Sequence, residues 1–188
     1  MKDKIYLSID LDYWQDSMEM TNWFLLHARY MKNVKIVIDH HKLLPHINKY
    51  KCSTLINMDH HSDICEDEFK NNNLLIGRSR PTLNCGTWAN HINWRKSAKF
   101  IWLFRSNESL SRYSLGGYCH VKLNPFKNKK ATNWKNVLKT RDKKCIDWTR
   151  VEAVGIALSP EWLRDMEIRH YFDKYIRPEL RNKLERKI

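Results

Sequence analysis

Five short runs, Ile5–Ile9, Val34–Ile38, Thr54–Met58, Phe100–Phe104 and Val154–Leu158, are each five residues long, and most are apolar at both odd and even positions. A strand with one solvated face alternates in polarity; one covered on both faces does not, which is the signature of a parallel sheet. Helix-length segments separate several of the runs. Ser17–Met31 sets Met20, Trp23, Phe24, Ala28 and Met31 at three- and four-residue steps, with Ser17 available as a cap. Leu43–Tyr50 is shorter and tolerates Pro45 only in its first turn. Pro160–Leu184 spaces Trp162, Leu163, Met166, Tyr171, Phe172, Tyr175 and Ile176 similarly, and Pro178 is expected to kink or end it. The alternation predicts an α/β fold of three layers, a mostly parallel central sheet with helices on both faces.

A chain of 188 residues, 42% hydrophobic and 12% aromatic, fits a single globular domain over 1–188. One region breaks the rhythm. Lys122–Arg150 holds ten Lys or Arg against two Asp, preceded by Gly116 and Gly117, so about 105–150 reads as a basic surface insertion. A net charge of +13 favours an anionic partner such as nucleic acid, an acidic membrane or an acidic peptide. The five cysteines, Cys52, Cys65, Cys85, Cys119 and Cys145, are odd in number and form no CxxC pair, which argues for a reducing compartment over a disulfide framework or zinc ribbon. Asp10 and Asp12 interrupt the N-terminal apolar stretch, and no segment approaches 18 uninterrupted apolar residues. A soluble, cytoplasmic protein with no membrane partner is expected.

In a parallel α/β fold, ligands collect beyond the carboxyl ends of the strands. Three runs end in acids or imidazoles: Asp10 and Asp12; Asp39, His40 and His41; Asp59, His60, His61 and Asp63. Positions two apart on an extended chain face the same side, so Asp10 and Asp12 can converge, as can Asp59, His61 and Asp63. One such residue after a strand is ordinarily a cap or a turn former. Three clusters on one edge would repel one another without cations, and mixed oxygen and nitrogen donors suit Mn²⁺ or a similar divalent ion. Asp39 and His60 fall off the alternating parity and are expected to orient or to be structural.

These stretches resemble a known family. Ser8-x-Asp10-x-Asp12-x-x-Asp16 is similar to the SxDxDxxDP signature of the arginase and ureohydrolase superfamily, Asp59-His60-His61-Ser62-Asp63 to its DAHxD signature, and Asp39-His40 to the Asp-His pair of GGDHS. The resemblance implies two Mn²⁺ bridged by Asp59 and Asp10, one completed by His40 and Asp63 and the other by His61 and Asp12, with His41 an alternative to His40. The short length, the Asp-His-His sequence, CGTWANHINW and VGIALSPEWL look like a compact branch that includes the peptide arginases, which convert arginine in a precursor peptide to ornithine and release urea.

The chain also departs from that pattern. The SxDxD segment opens it, so its strand would be displaced to the N-terminus, although a sheet assembles by position rather than chain order. Val37 and Ile38 stand where glycines precede the Asp-His pair, Ser17 replaces the terminal proline of SxDxDxxDP, and Ala157 falls where the guanidinium-gripping Glu is expected. Glu161 or Asp16 could supply that carboxylate, because a guanidinium needs a planar charge-assisted partner. His91 is the candidate proton shuttle for the leaving amine; Trp88 and Trp94 read as core or pocket wall.

The expected reaction is metal-assisted hydrolysis of the guanidino group, with Asp59 and His91 as its catalytic residues and the basic insertion docking an acidic leader of the arginine-containing peptide. Three rivals remain. IVIDHHK resembles the motif of the DHH phosphoesterases, which would make nucleic acid or nucleotides the substrate of a two-metal phosphodiesterase. A non-catalytic basic nucleic-acid-binding module would use the charge and the eight tryptophans. A deacetylase of the same superfamily would share the ligands.

Overall fold

The protein is described by a computed structural model over residues 3–61, 63–64, 83, 86–105, 134, 136–160, 163 and 166–185, the side chains of 182–185 excepted. Six strands form one sheet: β1 (Ile5–Asp10), β2 (Val34–Val37), β3 (Thr54–Met58), β4 (Lys99–Leu103), β5 (Asn136–Thr140) and β6 (Val151–Ala157). All neighbours are parallel, in the order β2-β6-β1-β3-β4-β5. All five strands expected from the sequence are present, within a few residues of their expected ends.

Alternation along each strand divides the buried residues between two cores. Ile5, Leu7 and Ile9 of β1 and Ile56 and Met58 of β3 share one core with Met20, Trp23 and Phe24 of α1 (Ser17–His27). Tyr6, Leu55, Ala153 and Ala157 point the other way, against Leu43 and Ile47 at α2 (Leu44–Lys49) and against Trp88 and Trp94. Ile168 of α3 (Met166–Tyr171), Phe172 and Ile176 of the following π-turn, and Leu180 of α4 (Arg177–Glu185) join the α1 core. The result is the three-layer α/β arrangement, with the sheet covered on both faces.

The α2 layer lies close to the sheet because β6 is small there. A Cβ added to Gly155 would stand 2.5 Å from the Tyr6 hydroxyl and 2.7 Å from Leu43 Cδ1, so this approach requires glycine.

The structure differs from the sequence reading in three places. The cap of α1 is Asp16, whose side chain accepts a hydrogen bond from the Glu19 N–H, and not Ser17, which is the first helical residue. Pro178 does not end the C-terminal helix, which runs on to Glu185. A π-turn over Phe172–Ile176, closed by the Arg177 N–H donating to the Phe172 carbonyl, widens the helix just before the proline that cannot donate. Finally, Asn136–Thr140 lies within the segment read as a surface insertion, yet it is β5, paired with β4 from Lys99↔Asn136 to Leu103↔Thr140. Gly116, Gly117 and Trp162 lie outside the described residues. Among the described residues no helix is long and apolar enough to cross a membrane.

Candidate metal centre

The chain leaves β1 for β2 on one side and then crosses back to β3 on the other. Where such connections diverge, the carboxyl ends of the strands frame a crevice. β1 ends at Asp10, and the 3-10 turn Leu11–Tyr13 that follows carries Asp12, whose N–H donates to Asp10 Oδ1 at 3.2 Å. His40 opens the 3-10 turn His40–Leu43 just beyond β2. Asp59, His61 and Asp63 follow the end of β3. Ser8 and Asp10, like Asn57 and Asp59, share the parity of Tyr6 and Leu55, so the strands aim them at the α2 side of the sheet.

The two imidazoles sit in separate rings of oxygen. His40 Nδ1 is 3.0 Å from Asp10 Oδ2, 3.2 Å from Asp59 Oδ2 and 3.0 Å from Asp63 Oδ2. His61 Nδ1 is 2.9 Å from Asp12 Oδ2 and 3.6 Å from Asp59 Oδ1. Asp59 therefore belongs to both, turning one oxygen to each histidine. Asp10, His40 and Asp59 form one set, and Asp12, Asp59 and His61 another, in each of which one atom per residue lies within 4.8 Å of the rest. Neither His40 Nδ1 nor Asp12 Oδ2 makes a hydrogen bond in line with these contacts, though both are buried. Buried imidazole nitrogens and carboxylate oxygens converging at these distances are donors that a divalent cation accepts in place of the imidazole protons.

A further set of residues fixes the orientation of these groups. Ser8 Oγ lies 2.7 Å from His40 Nε2, so Nε2 is occupied by the hydroxyl and Nδ1 is left to the carboxylates. Ser159, just past β6, donates to Asp10 Oδ2 at 2.6 Å, and Asn57 Nδ2 donates to Asp59 Oδ2 at 3.2 Å. The Trp88 indole N–H donates to Asp63 Oδ2 at 2.5 Å, while the Trp102 indole bonds the Asp59 carbonyl at 3.0 Å. The backbone is strained at two of these positions: φ is 56° at Asp63 and 41° at Ser159, in the left-handed region that non-glycine residues rarely adopt.

Burial and charge set the titration of the cluster. Burial opposes the charge of Asp59, but His40 and His61 outweigh it and hold its carboxyl well below the usual range. Burial, then the charges of Asp10 and Asp59, push Asp12 well above it. Burial and the Asp59 charge raise Asp63 to about 7. Burial disfavours charge on the histidines, yet Asp63 with its neighbours raises His40 well above 6.5, and Asp12 with Asp59 raises His61 to about 12. In the metal-free protein, protons on the imidazoles supply the positive charge that the carboxylates demand. The sides also differ in access: the His61 side chain is 16% exposed, that of His40 only 1%.

Of the remaining sequence candidates, His91 ends the 3-10 turn Trp88–His91 and is half-buried, three residues after the indole that reaches Asp63. Asp16 is exposed, with its carboxylate engaged in capping α1. Glu161 lies outside the described residues. Of the two adjacent histidines, His40 is the one whose ring stands in the oxygen cluster. Asp39 is half-buried at the N-terminus of the His40–Leu43 turn, and His60 is half-buried with its N–H 3.4 Å from Asp12 Oδ1. Ala157 pairs in register with Asp10 and brings no carboxylate to the site. Ser159, Asn57, Trp88 and Trp102 escaped the sequence reading as site residues. Parity could have found Asn57, two before Asp59, but nothing local marks the other three.

Fold and cluster together define a parallel α/β protein with a buried Asp/His site at the carboxyl edge of its sheet, able to hold a metal ion. No family model, curated protein or solved structure matches the chain.

Proposed function

We propose that this protein is a dinuclear manganese hydrolase that converts arginine side chains of a peptide to ornithine with release of urea. The observation that carries the reading is Asp59, a buried carboxylate with one oxygen against the His40 group and the other against the His61 group. Asp10, His40 and Asp63 would complete one cation and Asp12 and His61 the other, consistent with the oxygen and nitrogen donors that Mn²⁺ accepts. When bound, such a pair supplies a hydroxide at neutral pH and stabilises developing negative charge.

The residues around the site have distinct tasks in that reaction. A C–O bond forms at the guanidinium carbon, the bond from that carbon to the side-chain nitrogen breaks, and the departing ornithine nitrogen takes a proton. His91, in the turn that also carries Trp88, is assigned that proton delivery. Glu161 or Asp16 is assigned the guanidinium, which needs a charge-assisted planar partner. The partial exposure of His61 makes its side the approach for the substrate. The basic segment, with the exposed Lys144 beyond β5, offers cations to an acidic leader of the peptide.

The guanidino group is preferred over a phosphodiester on the resemblance of the three ligand stretches to the arginase signatures. Manganese-loaded protein incubated with arginine-containing peptides tests it. The expected result is urea and a peptide mass loss of about 42 daltons, the difference between arginine and ornithine. Cleavage of a phosphodiester substrate with no urea from any peptide would replace the reading with the phosphoesterase one.

A further inference from the structure

Asp63, like Asp59, lies in neither a helix nor a strand, and its φ of 56° falls in the left-handed region that Asp visits only occasionally. Two hydrogen bonds tie it to one distant segment. The Trp88 indole N–H donates to Asp63 Oδ2, and the neighbouring Ala89 N–H donates to the Asp63 carbonyl at 3.3 Å. The face of the same indole packs on the His40 ring, with centroids 4.5 Å apart and planes 35° apart. Trp88 is fully buried, so its N–H needs an acceptor. Trp94 and Trp102 meet that need with backbone carbonyls, those of Ile47 and Asp59. Trp88 takes a carboxylate instead, and that carboxylate shares His40 Nδ1 with Asp10 and Asp59.

We propose that Trp88 is a positioning residue for the cation on the His40 side: its N–H sets Asp63 and its ring face sets the His40 imidazole, so the two ligands move as one. The inference rests on the metal-binding reading above. A carboxylate oxygen has two lone pairs. With one taken by the indole, the other is turned toward the space beside His40 Nδ1, and the oxygen cannot swing away when the site is empty. Both of these Trp88 contacts, to Asp63 and to the His40 ring, lie on the His40 side. Trp88 therefore acts on one cation and not on the other.

Trp88→Phe keeps a ring against His40 and removes the donor. Titration of the metal-free proteins with Mn²⁺, followed by calorimetry and by the electron paramagnetic resonance of the bound ion, separates the two binding steps. The wild type is expected to show two. In Trp88→Phe one step weakens about 10- to 100-fold, the usual cost of losing a partner that orients a ligand, while the other is unchanged. In an Asp63→Asn background, Trp88→Phe costs nothing further, because the indole works through that carboxylate. Equal weakening of both steps, no weakening, or losses that add in the double variant would overturn the proposal. A wild-type protein that binds no manganese would instead remove the reading on which it stands. Should Trp88→Phe not fold, the wild type provides a second readout. The Trp88 indole N–H resonance, identified by its proximity to the His40 ring, is expected to shift and exchange more slowly as Zn²⁺ fills the site; an indole signal indifferent to metal contradicts the role.

Discussion

At the scale of single residues, the account turns on side chains whose burial makes sense only in company. Four carboxylates within the reach of two imidazoles would cost several kcal/mol each if left charged and unpaired. Asp59 is the member that both halves share, and Asp59→Asn keeps its shape while removing the charge. That substitution is expected to abolish both manganese-binding steps, whereas Asp12→Asn spares the His40 side; calorimetric titration distinguishes them. Ser8→Ala frees His40 Nε2 from its hydroxyl partner and is expected to weaken the His40-side cation by about 10- to 100-fold without touching the other, read in the same titration.

The elements explain why these residues meet. β1 and β3 are adjacent with Ser8 opposite Asn57, so Asp10 and Asp59 emerge side by side; β6, next to β1, brings Ser159 to Asp10. This much was legible in the sequence, because five apolar runs and their acidic ends carry strand, parity and site in one pattern. β5 was not. Its alternation of buried Val137 with exposed Asn136 and Leu138 is that of a half-covered edge, and it lies among lysines that read as loop. Nor was Trp88 legible as a site residue, since a clamp formed across 25 positions leaves no local spacing to read. The fit of α2 on β6 is open to test at Gly155. Gly155→Ala forces the new methyl into Tyr6 and Leu43 and is expected to destabilise the fold by about 1–3 kcal/mol, the cost of overpacking a filled core, measured by urea unfolding of the metal-free protein.

For the whole molecule, metal binding and protonation are linked. Both histidines hold protons in the metal-free state, His61 up to about 12 and His40 well above 6.5, and each must give its proton up to ligate. Loading therefore releases protons, so the apparent affinity rises with pH. Below about 7, where Asp63 also becomes protonated, a further proton must leave and the dependence steepens. Calorimetry in buffers of different ionisation enthalpy counts them; the His61 proton is expected to be released on loading near pH 8, with a larger release at lower pH. Because the folded chain alone assembles the ligands, manganese should also raise the unfolding temperature, by the equivalent of about 2.7 kcal/mol when free metal exceeds its dissociation constant a hundredfold.

The most direct measurement is anomalous diffraction at the manganese edge from crystals grown with the ion. The account predicts two peaks, roughly 3.5–4 Å apart as in two-metal hydrolytic sites, one beside His40 and Asp63, the other beside His61 and Asp12, with Asp59 between them. A cluster that binds no manganese, or manganese found only away from these residues, would contradict it.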